Sequence, residues 1–502
     1  MGKGRFFKSM KNMSYGILYN ILSLVLSFVS RTIFINTLGV EMLGINGLFT
    51  DVLNILSMAD LGLGITMAYS YYEPLARGDK DRLCALTAFY RKIYNMIALV
   101  VAVLGVILIP FLKYIVNLET DNPYIYVYYL MFLANTVVSY LFVYKSSIIN
   151  ADQKSYLISK YHIIMGISRI GAQCILLYLT KRYMVYLSIN LAATVISNLL
   201  ISNKAEKLYP YIKEKGKRLD KESRKSIFDN IKSVILYKFA MVIFGAADSS
   251  IISMLLGTVF VGLYSNYNMI IGAINGLINI VYQSVQASIG NVITSEKDEK
   301  RYQIYRYLQK YSFIAATLIA VCLFALIDDA IKVWIGEEFV IDKLSVFAIV
   351  LNFYICIILH PIWTFRETTG LYKEVKYIML LATVVNIILS VLLGRIMGLA
   401  GVLFASVIAR LSTYFWYEPR LLFKKFFKAS TRTLYLQILK NVIISAVIGF
   451  AVCFVGGYIK ANSWLMLVIK AAAVFVLCLV LVIVAYIKDN DIQEVVKTYI
   501  KR

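Results

Sequence analysis

Fourteen apolar stretches, each long enough to cross a lipid bilayer, follow one another along this chain of 502 residues. A bilayer core about 30 Å thick needs about 20 mostly apolar residues for each spanning helix. Long unbroken runs such as residues 471–487 favour helices over the short alternating strands of a membrane barrel. With 60% hydrophobic and 16% charged residues, the chain is too apolar for a soluble multidomain protein. We therefore predict an all-α polytopic membrane protein with about 14 transmembrane helices.

The distribution of lysine and arginine predicts the orientation, because these residues concentrate in cytoplasmic loops. If the N-terminus lies inside, the inner segments and their flanking turns carry 37 Lys and Arg, and the outer segments carry 7. Both termini are therefore predicted to be cytoplasmic. The predicted spans cover residues 13–37, 42–72, 84–112, 123–146, 157–179, 183–202, 229–256, 258–292, 305–331, 343–365, 375–395, 397–418, 437–458 and 463–487.

The net charge of +23 follows largely from this asymmetry. Basic cytoplasmic loops are attracted to anionic lipids, so anionic membrane lipids are predicted partners and no nucleic acid is expected. The basic segment 204–226 allows two interpretations, a solvated interdomain loop or a binding site for a soluble partner. Because runs of charge are usually solvated, we favour the loop.

The sequence carries no P-loop, no GxSxG motif and no zinc-binding spacing. Its six cysteines lie singly, without a CxxC pair, and are interpreted as packing residues rather than as disulfides or metal ligands. The outer loops are short, which argues against an extracytoplasmic catalytic domain. We therefore expect a transporter rather than an enzyme, with no metal and no cofactor.

The chain contains an internal repeat at a constant offset of 218 residues. TLGVEMLG at 37–44 and LLGTVFVG at 255–262 share the pattern LG-x4-G, and the charged turns at 76–82 and 294–300 match at the same offset. Because an even number of spans is repeated, we predict two parallel six-helix lobes with a substrate path between them, plus two extra C-terminal helices. The predicted organisation is an N-lobe at 1–202, a cytoplasmic connector at 203–228, a C-lobe at 229–418, and a C-terminal span pair with its tail at 419–502.

The eighth span carries six amide side chains within LYSNYNMIIGAINGLINIVYQSVQ, residues 263–286. Most of its polar positions fall within about 60° of one another on a helical wheel. The matching face of span 2 is also polar or small and includes Asn46 and Ser57. Hydrogen bonds between helices are one explanation, but a stripe along a whole span favours a water-filled cavity. The predicted lining residues of span 8 are Tyr264, Asn268, Asn275, Asn279, Tyr282 and Gln286.

Among the cationic side chains within the predicted spans, Arg31, Arg169, Lys238 and Arg410 are the candidates for substrate binding, because each shares a helical face with polar or small residues. A charge at a helix centre costs about 2.5–3.5 kcal/mol on insertion scales, so these positions indicate a functional site. Lys238 and Arg410 are close enough to the cytoplasmic surface for their side chains to reach it, which is an equally good explanation for them. The sequence thus predicts a cationic cavity.

Asp60, Asp248 and His162 are candidates for ion coupling or for an ion pair with a neighbouring cation. His162 shares a helical face with Arg169, although a single histidine in such a span is more often a packing or interfacial residue. An Arg31–Asp248 contact across the lobes is a further hypothesis.

The segment Phe34–Asp79 resembles the polysaccharide-unit flippases of the multidrug/oligosaccharidyl-lipid/polysaccharide exporter superfamily. It is similar to their pattern in its LG turn, its LSMADLGLG segment and its PLA turn followed by charges. The resemblance implies a multi-pass protein of the bacterial cytoplasmic membrane that moves undecaprenyl-diphosphate-linked oligosaccharides to the outer leaflet. Related lipid II flippases place first-span arginines in a cationic cavity, a role that would fall on Arg31. The drug-extruding branch uses a first-span carboxylate, which this chain lacks.

These observations lead to the hypothesis of an alternating-access flippase for surface polysaccharide synthesis. The four cations would bind the diphosphate, because guanidinium groups bind phosphate in bidentate geometry, and the amide stripe would bind sugar hydroxyls. Two alternatives remain from the sequence, a cation-coupled multidrug exporter and a non-transporting scaffold of a polysaccharide-assembly complex. Polysaccharide polymerases and glycosyltransferases are further candidate partners.

Overall fold

A computed structural model describes residues 3–57, 77–118, 122–152, 154–213, 221–295, 298–369 and 371–489, with a few single residues between and after these ranges. Every regular element in these ranges is helical, as the apolar spans predict. The longer helices are α1 Lys3–Leu56, α2 Lys80–Leu108, α3 Ile125–Ala151, α4 Ser155–Thr180, α5 Tyr183–Leu208, α6 Lys221–Leu256, α7 Thr258–Ser295, α8 Asp298–Ile335, α9 Lys343–Thr369, α10 Tyr372–Ser412, α11 Tyr414–Leu422, α12 Arg432–Gly457 and α13 Trp464–Tyr486.

Glycines with positive φ separate consecutive spans. Gly39 interrupts α1 with a φ of 82°, and Gly398 interrupts α10 with a φ of 61°. Gly257, which matches Gly39 in the repeat, has a φ of 104° between α6 and α7. Only glycine adopts such angles readily. Each predicted span overlaps a helix, and 11 helices of the described residues are long and apolar enough to cross a membrane. The predicted all-helical membrane protein is therefore confirmed.

Met1–Gly262 forms one compact unit, in which α1 packs against α4 and α6, and α3 packs against α2 and α5. Aromatic side chains fill the contacts between these helices. The Phe34 ring of α1 meets the Tyr183 and Tyr186 rings of α5 edge-on, with centroids 5.6 and 5.1 Å away. The Phe49 ring meets Tyr129 of α3 in the same way at 5.4 Å. Edge-to-face pairs of this kind stabilise the packing beyond the area they bury.

The second glycine of each LG-x4-G motif lies where two backbones touch. A Cβ atom at Gly44 would lie 2.0 Å from the carbonyl oxygen of Thr258, and one at Gly262 would lie 2.3 Å from the carbonyl oxygen of Val40. Val40 and Thr258 are themselves equivalent at the offset of 218 residues. The two motifs therefore cross each other symmetrically, and small residues are required because membrane helices associate by close backbone approach.

Leu263–Arg502 forms the second compact unit, in which α8 packs against α9, α12 and α13, and α9 packs against α10. Apolar side chains from α8 and the C-terminal pair α12–α13 make one continuous cluster there. Its buried members are Val321, Ile448, Val452, Val474, Cys478, Val482 and Tyr486.

A polar network joins the C-terminal pair to α8 and α9 inside the second unit. Asn441 donates a hydrogen bond to the Tyr354 hydroxyl at 2.5 Å and accepts one from the Tyr486 hydroxyl. The hydroxyls of Thr317 and Ser445 are 2.7 Å apart. Thr317, Tyr354, Asn441 and Tyr486 are buried, so this network satisfies polar groups that lipid could not.

Ion pairs fix the same helices towards both ends of α8. Lys470 of α13 lies 2.6 Å from Asp329, and Lys310 of α8 lies 2.7 Å from Asp489, which follows α13. The C-terminal pair lies outside the sequence repeat, but these contacts make it an integral part of the second unit.

Candidate functional site

A cavity of about 370 Å³ lies among α1, α4 and α5 in the first unit, and we call it the arginine cavity. Helix α4 contributes His162, Gly166 and Arg169, which share one helical face as the sequence predicts. The other lining residues are Tyr19, Ser23, Leu26 and Ser27 of α1, Met165 and Ile170 of α4, and Ala193, Thr194, Ser197 and Asn198 of α5.

One of the predicted cations, Arg169, lines this cavity, and a second, Arg31, lies near it on α1. Arg169 donates a hydrogen bond from Nη1 to Oδ1 of Asn190 at 3.0 Å. Arg31 follows Ser27 by about one turn of α1. Both guanidinium groups interact electrostatically with the Tyr186 side chain of α5. The structure thus brings cations from α1 and α4 to the same aromatic side chain, which gives this part of the unit a positive potential.

The arginine cavity contains buried hydrogen-bonding groups that have no partner within the described part of the chain. Arg169 Nε, Ser197 Oγ and Asn198 Nδ2 are buried and have no hydrogen-bond partner among the described residues. A buried donor without a partner costs about 1–3 kcal/mol, and such groups are rare in folded proteins. Because all three residues line one cavity, the cavity is suited to a ligand that accepts hydrogen bonds.

A second cavity, of about 190 Å³, lies among α7, α9 and α10 in the second unit, and we call it the amide cavity. Arg410 of α10 donates from Nε to Oδ1 of Asn352 at 2.8 Å, and from Nη1 to the Tyr414 hydroxyl. The structure therefore brings Arg410 together with part of the predicted stripe of α7. The polar lining residues are Tyr264, Asn268, Asn275, Asn352 and Arg410.

The rest of the α7 stripe contacts protein side chains instead. Asn279 Oδ1 lies 3.1 Å from Nε2 of His360, and the Tyr282 ring stacks on the His360 ring with centroids 4.0 Å apart. The Tyr282 hydroxyl also hydrogen-bonds Ser312. The side chain of Gln286 lies outside the described residues. One stripe thus serves both a cavity and the packing of α7 against α8 and α9.

Two predicted lining residues of the first unit also contact aromatic side chains. Asn46 Oδ1 accepts a hydrogen bond from the Tyr183 hydroxyl at 3.2 Å, and the Ser57 carbonyl accepts one from Tyr140 at 3.1 Å. Neither residue lines one of the cavities described above. Their roles in substrate binding remain predictions.

The candidate coupling residues have different surroundings. The His162 ring lies 5.9 Å from the Tyr19 ring at the wall of the arginine cavity. Asp248 is buried in α6, next to the buried Ser249. Asp60 and the side chain of Lys238 lie outside the described residues, so their roles stay predictions.

The sequence reasoning missed the polar residues of α5. Asn190, Thr194, Ser197 and Asn198 recur at i, i+4, i+7 and i+8, so they form a stripe with the helical period. A helical-wheel projection of span 6, like that of span 8, places them on one face. Asn352 of α9 stands alone in an apolar run, and its position gives no comparable signal.

The long apolar helices, with polar cavities among them, define a polytopic membrane protein. Its fold is similar to that of the lipid II flippase MurJ in an inward closed conformation, with a TM-score of 0.65 and 16% identity over 94% of this chain and 99% of the other. An inward-facing multidrug resistance MATE family transporter of the MOP superfamily gives 0.56 and 15% over 79% and 94%. The Vibrio cholerae MATE transporter VcmN gives 0.55 and 14% over 85% and 99%.

The family follows from the sequence itself. Residues 9–287 match the family described as polysaccharide biosynthesis protein. This is more than half of the chain, and the chain belongs to that family. A comparison with curated proteins finds no match. The fold likeness and the family together confirm the resemblance that the segment Phe34–Asp79 suggests.

Proposed function

We propose that this protein is a flippase that moves undecaprenyl-diphosphate-linked oligosaccharides across the cytoplasmic membrane of a bacterium for surface polysaccharide synthesis. The family and the fold support a membrane transporter in polysaccharide biosynthesis. The arginine cavity is the observation that carries the proposal. It combines a guanidinium with buried donors that have no partner among the residues that the structure describes, inside a bundle of apolar spans.

A diphosphate matches this chemistry because it is an anion that accepts hydrogen bonds and donates none when fully ionised. Arg169 would bind it directly, and Arg31 would add positive potential from α1. In the second unit Arg410 would contribute in the same way. The amides Asn268 and Asn275 beside Arg410 would exchange hydrogen bonds with sugar hydroxyls, so that the polar headgroup stays solvated during transfer.

Moving such a headgroup requires no covalent step, so the proposed activity is transport and not catalysis. Transporters of this kind expose a site alternately to either side of the membrane. Polysaccharide polymerases, glycosyltransferases and anionic lipids are proposed partners, and co-purification of the full chain with each of them is the test.

The test of the function uses purified protein in vesicles that contain a fluorescent undecaprenyl-diphosphate oligosaccharide in the inner leaflet. We expect protein-dependent exposure of the sugar on the outer leaflet. Arg169→Gln should slow it about 10- to 100-fold, since hydrogen bonds to charged groups contribute about 1.5–3 kcal/mol. Arg182→Gln, in the exposed turn between α4 and α5, is the matched control and should leave the rate unchanged.

The same vesicles separate the proposed function from drug export, which the likeness to MATE transporters makes the second candidate. Transport of a cationic dye, with no exposure of the lipid-linked sugar, would favour an exporter. Unchanged sugar exposure in Arg31→Gln, Arg169→Gln and the double variant would contradict the cationic site.

A further inference from the structure

A third cavity, of about 300 Å³, adjoins the arginine cavity in the first unit and lies among α3, α4 and α5. His162 and Asn198 line both cavities, so the two spaces share a wall formed by these side chains. Ser139 and Ser146 of α3 lie on its other side. We call this space the serine cavity.

The serine cavity differs from the arginine cavity in its hydrogen-bonding character. Ser139 donates its hydroxyl proton to the carbonyl oxygen of Thr136 at 2.6 Å, and Ser146 donates to the carbonyl oxygen of Val143 at 2.8 Å. Each hydroxyl has one proton and two acceptor lone pairs. With the protons committed to the backbone, both serines present acceptors. The ligand for this wall must therefore donate hydrogen bonds.

The arginine cavity, in contrast, presents mainly donors. Arg169 Nε and Ser197 Oγ are buried donors without partners among the described residues. Ser27, which donates to the Ser23 carbonyl at 2.6 Å, adds an acceptor at the α1 wall. Asn198 Nδ2, another buried donor without a described partner, lies at the boundary of the two cavities.

The two cavities also differ in charge. Among the described residues that line the serine cavity, none is Asp, Glu, Lys or Arg. An ionised phosphate placed there would face two acceptors and no cation, and would lose its hydration without compensation. A neutral group rich in hydroxyls would donate to the serines and accept from Asn198. The rings of Tyr140 and Phe142 complete the lining with apolar surface, which suits the C–H face of a pyranose.

We infer that the serine cavity is the subsite for the first, uncharged sugar of the lipid-linked substrate, and that the arginine cavity holds the diphosphate next to it. This assignment rests on the proposed function. In this assignment the phosphates lie between α1, α4 and α5. The headgroup then passes His162 and Asn198, and the sugar lies against α3.

The test compares two probes, undecaprenyl diphosphate and undecaprenyl diphosphate that carries one neutral hexose, by native mass spectrometry of the full chain in detergent. Ser139→Ala and Ser146→Ala should each weaken the hexose-bearing probe roughly 3- to 10-fold, as expected for the loss of one hydrogen bond, and should leave the sugar-free probe unchanged. Arg169→Gln should weaken both probes equally. Alanine is a good helix former, so these serine variants should fold.

Ser188→Ala is the matched control, because Ser188 is exposed on α5 and donates to its own helix in the same way, at 2.9 Å from the Met184 carbonyl oxygen. It should change neither affinity. Equal weakening of both probes by the serine variants, or no weakening of either, would overturn the subsite assignment while leaving the flippase intact. Binding of neither probe by the unsubstituted chain would overturn the proposed function and the assignment with it.

Discussion

The ion pair between Arg366 of α9 and Glu418 of α11 offers a quantitative test of the structure. Arg366 Nη1 lies 2.7 Å from Glu418 Oε1, and the two side chains are only 4% and 3% exposed. The perturbation is to replace each member of the pair, and then both, by apolar side chains of similar volume: Arg366→Met, Glu418→Leu and the double variant.

The magnitude follows from burial. At 2.7 Å and an effective dielectric constant of about 20, the attraction between the charges is about 6 kcal/mol. Their desolvation costs several kcal/mol for each ion, so the pair contributes little net stability. Arg366→Met leaves the Glu418 carboxylate buried without this cation and should cost about 3–5 kcal/mol. Glu418→Leu should cost less, because Arg366 keeps its 3.7 Å contact with the Glu367 carboxylate. The double variant has no buried charge and should recover most of that loss.

A thiol-reactive fluorophore can report the unfolding, because the chain has free cysteines of which Cys84 and Cys478 are buried. The melting curve of each purified variant gives the order of stability. The matched control is Lys425→Met. Lys425 Nζ lies 2.6 Å from Glu374 Oε1 in the same unit, but these side chains are 45% and 33% exposed. Loss of that pair should cost less than about 1 kcal/mol.

Two outcomes would refute the reasoning about Arg366 and Glu418. If the double variant melted no higher than the less stable single variant, the cost would come from lost packing rather than from an unpaired charge. If Lys425→Met destabilised the protein as much as Arg366→Met, burial would not determine the value of these ion pairs.

Three further predictions test other parts of the fold. Gly44→Ala should lower the melting temperature and the folded yield, because its Cβ would lie 2.0 Å from a backbone carbonyl oxygen. Gly272→Ala should have no such effect, because the space around Gly272 on α7 is open. Equal behaviour of the two variants would contradict the motif crossing. Asn441→Leu should destabilise the C-terminal pair by about 1–3 kcal/mol, because the buried Tyr486 hydroxyl loses its acceptor and the Tyr354 hydroxyl keeps the Ser445 donor but loses the Asn441 amide. An unchanged melting curve would contradict the network. Mild oxidation with copper phenanthroline should link Cys322 of α8 to Cys478 of α13, because Cys322 packs against the apolar cluster that contains Cys478. Peptide mapping that finds both thiols unmodified would contradict this packing of α8 against α13.

The sequence predicted the helices well because the bilayer dictates their length and their satisfied backbone. It also predicted the positions of the turns between spans 1 and 2 and between spans 7 and 8. The motif glycines Gly39 and Gly257 have positive φ. The need for glycine at such a backbone angle depends only on the local sequence, so it can be recognised without knowledge of the tertiary structure. Helical faces were likewise predictable, since His162 and Arg169 line one cavity as their spacing indicates.

The partners of polar side chains were not predictable from the helical period. Asn275 and Asn279 belong to one stripe, yet Asn275 lines a cavity while Asn279 meets His360, which lies 81 residues away in the sequence. Periodicity gives the direction of a side chain from its own helix. It gives no information on which neighbouring helix stands opposite, or at what height its polar groups lie.

Two groups of buried amides and hydroxyls, one around Asn441 and one in the arginine cavity, differ in whether their hydrogen-bonding atoms have described partners. In the network around Asn441, both the amide nitrogen and the amide oxygen have partners, so the group stabilises the packing and has no capacity left for a ligand. In the arginine cavity, the Ser197 Oγ and Asn198 Nδ2 atoms are also buried but have no hydrogen-bond partner among the described residues. Lipid cannot satisfy these groups, and the unpaired state costs free energy. Because these groups lie beside the Arg169 guanidinium, the cavity is suited to a polar, anionic headgroup that enters and leaves. The proposed transport requires a site with this chemistry.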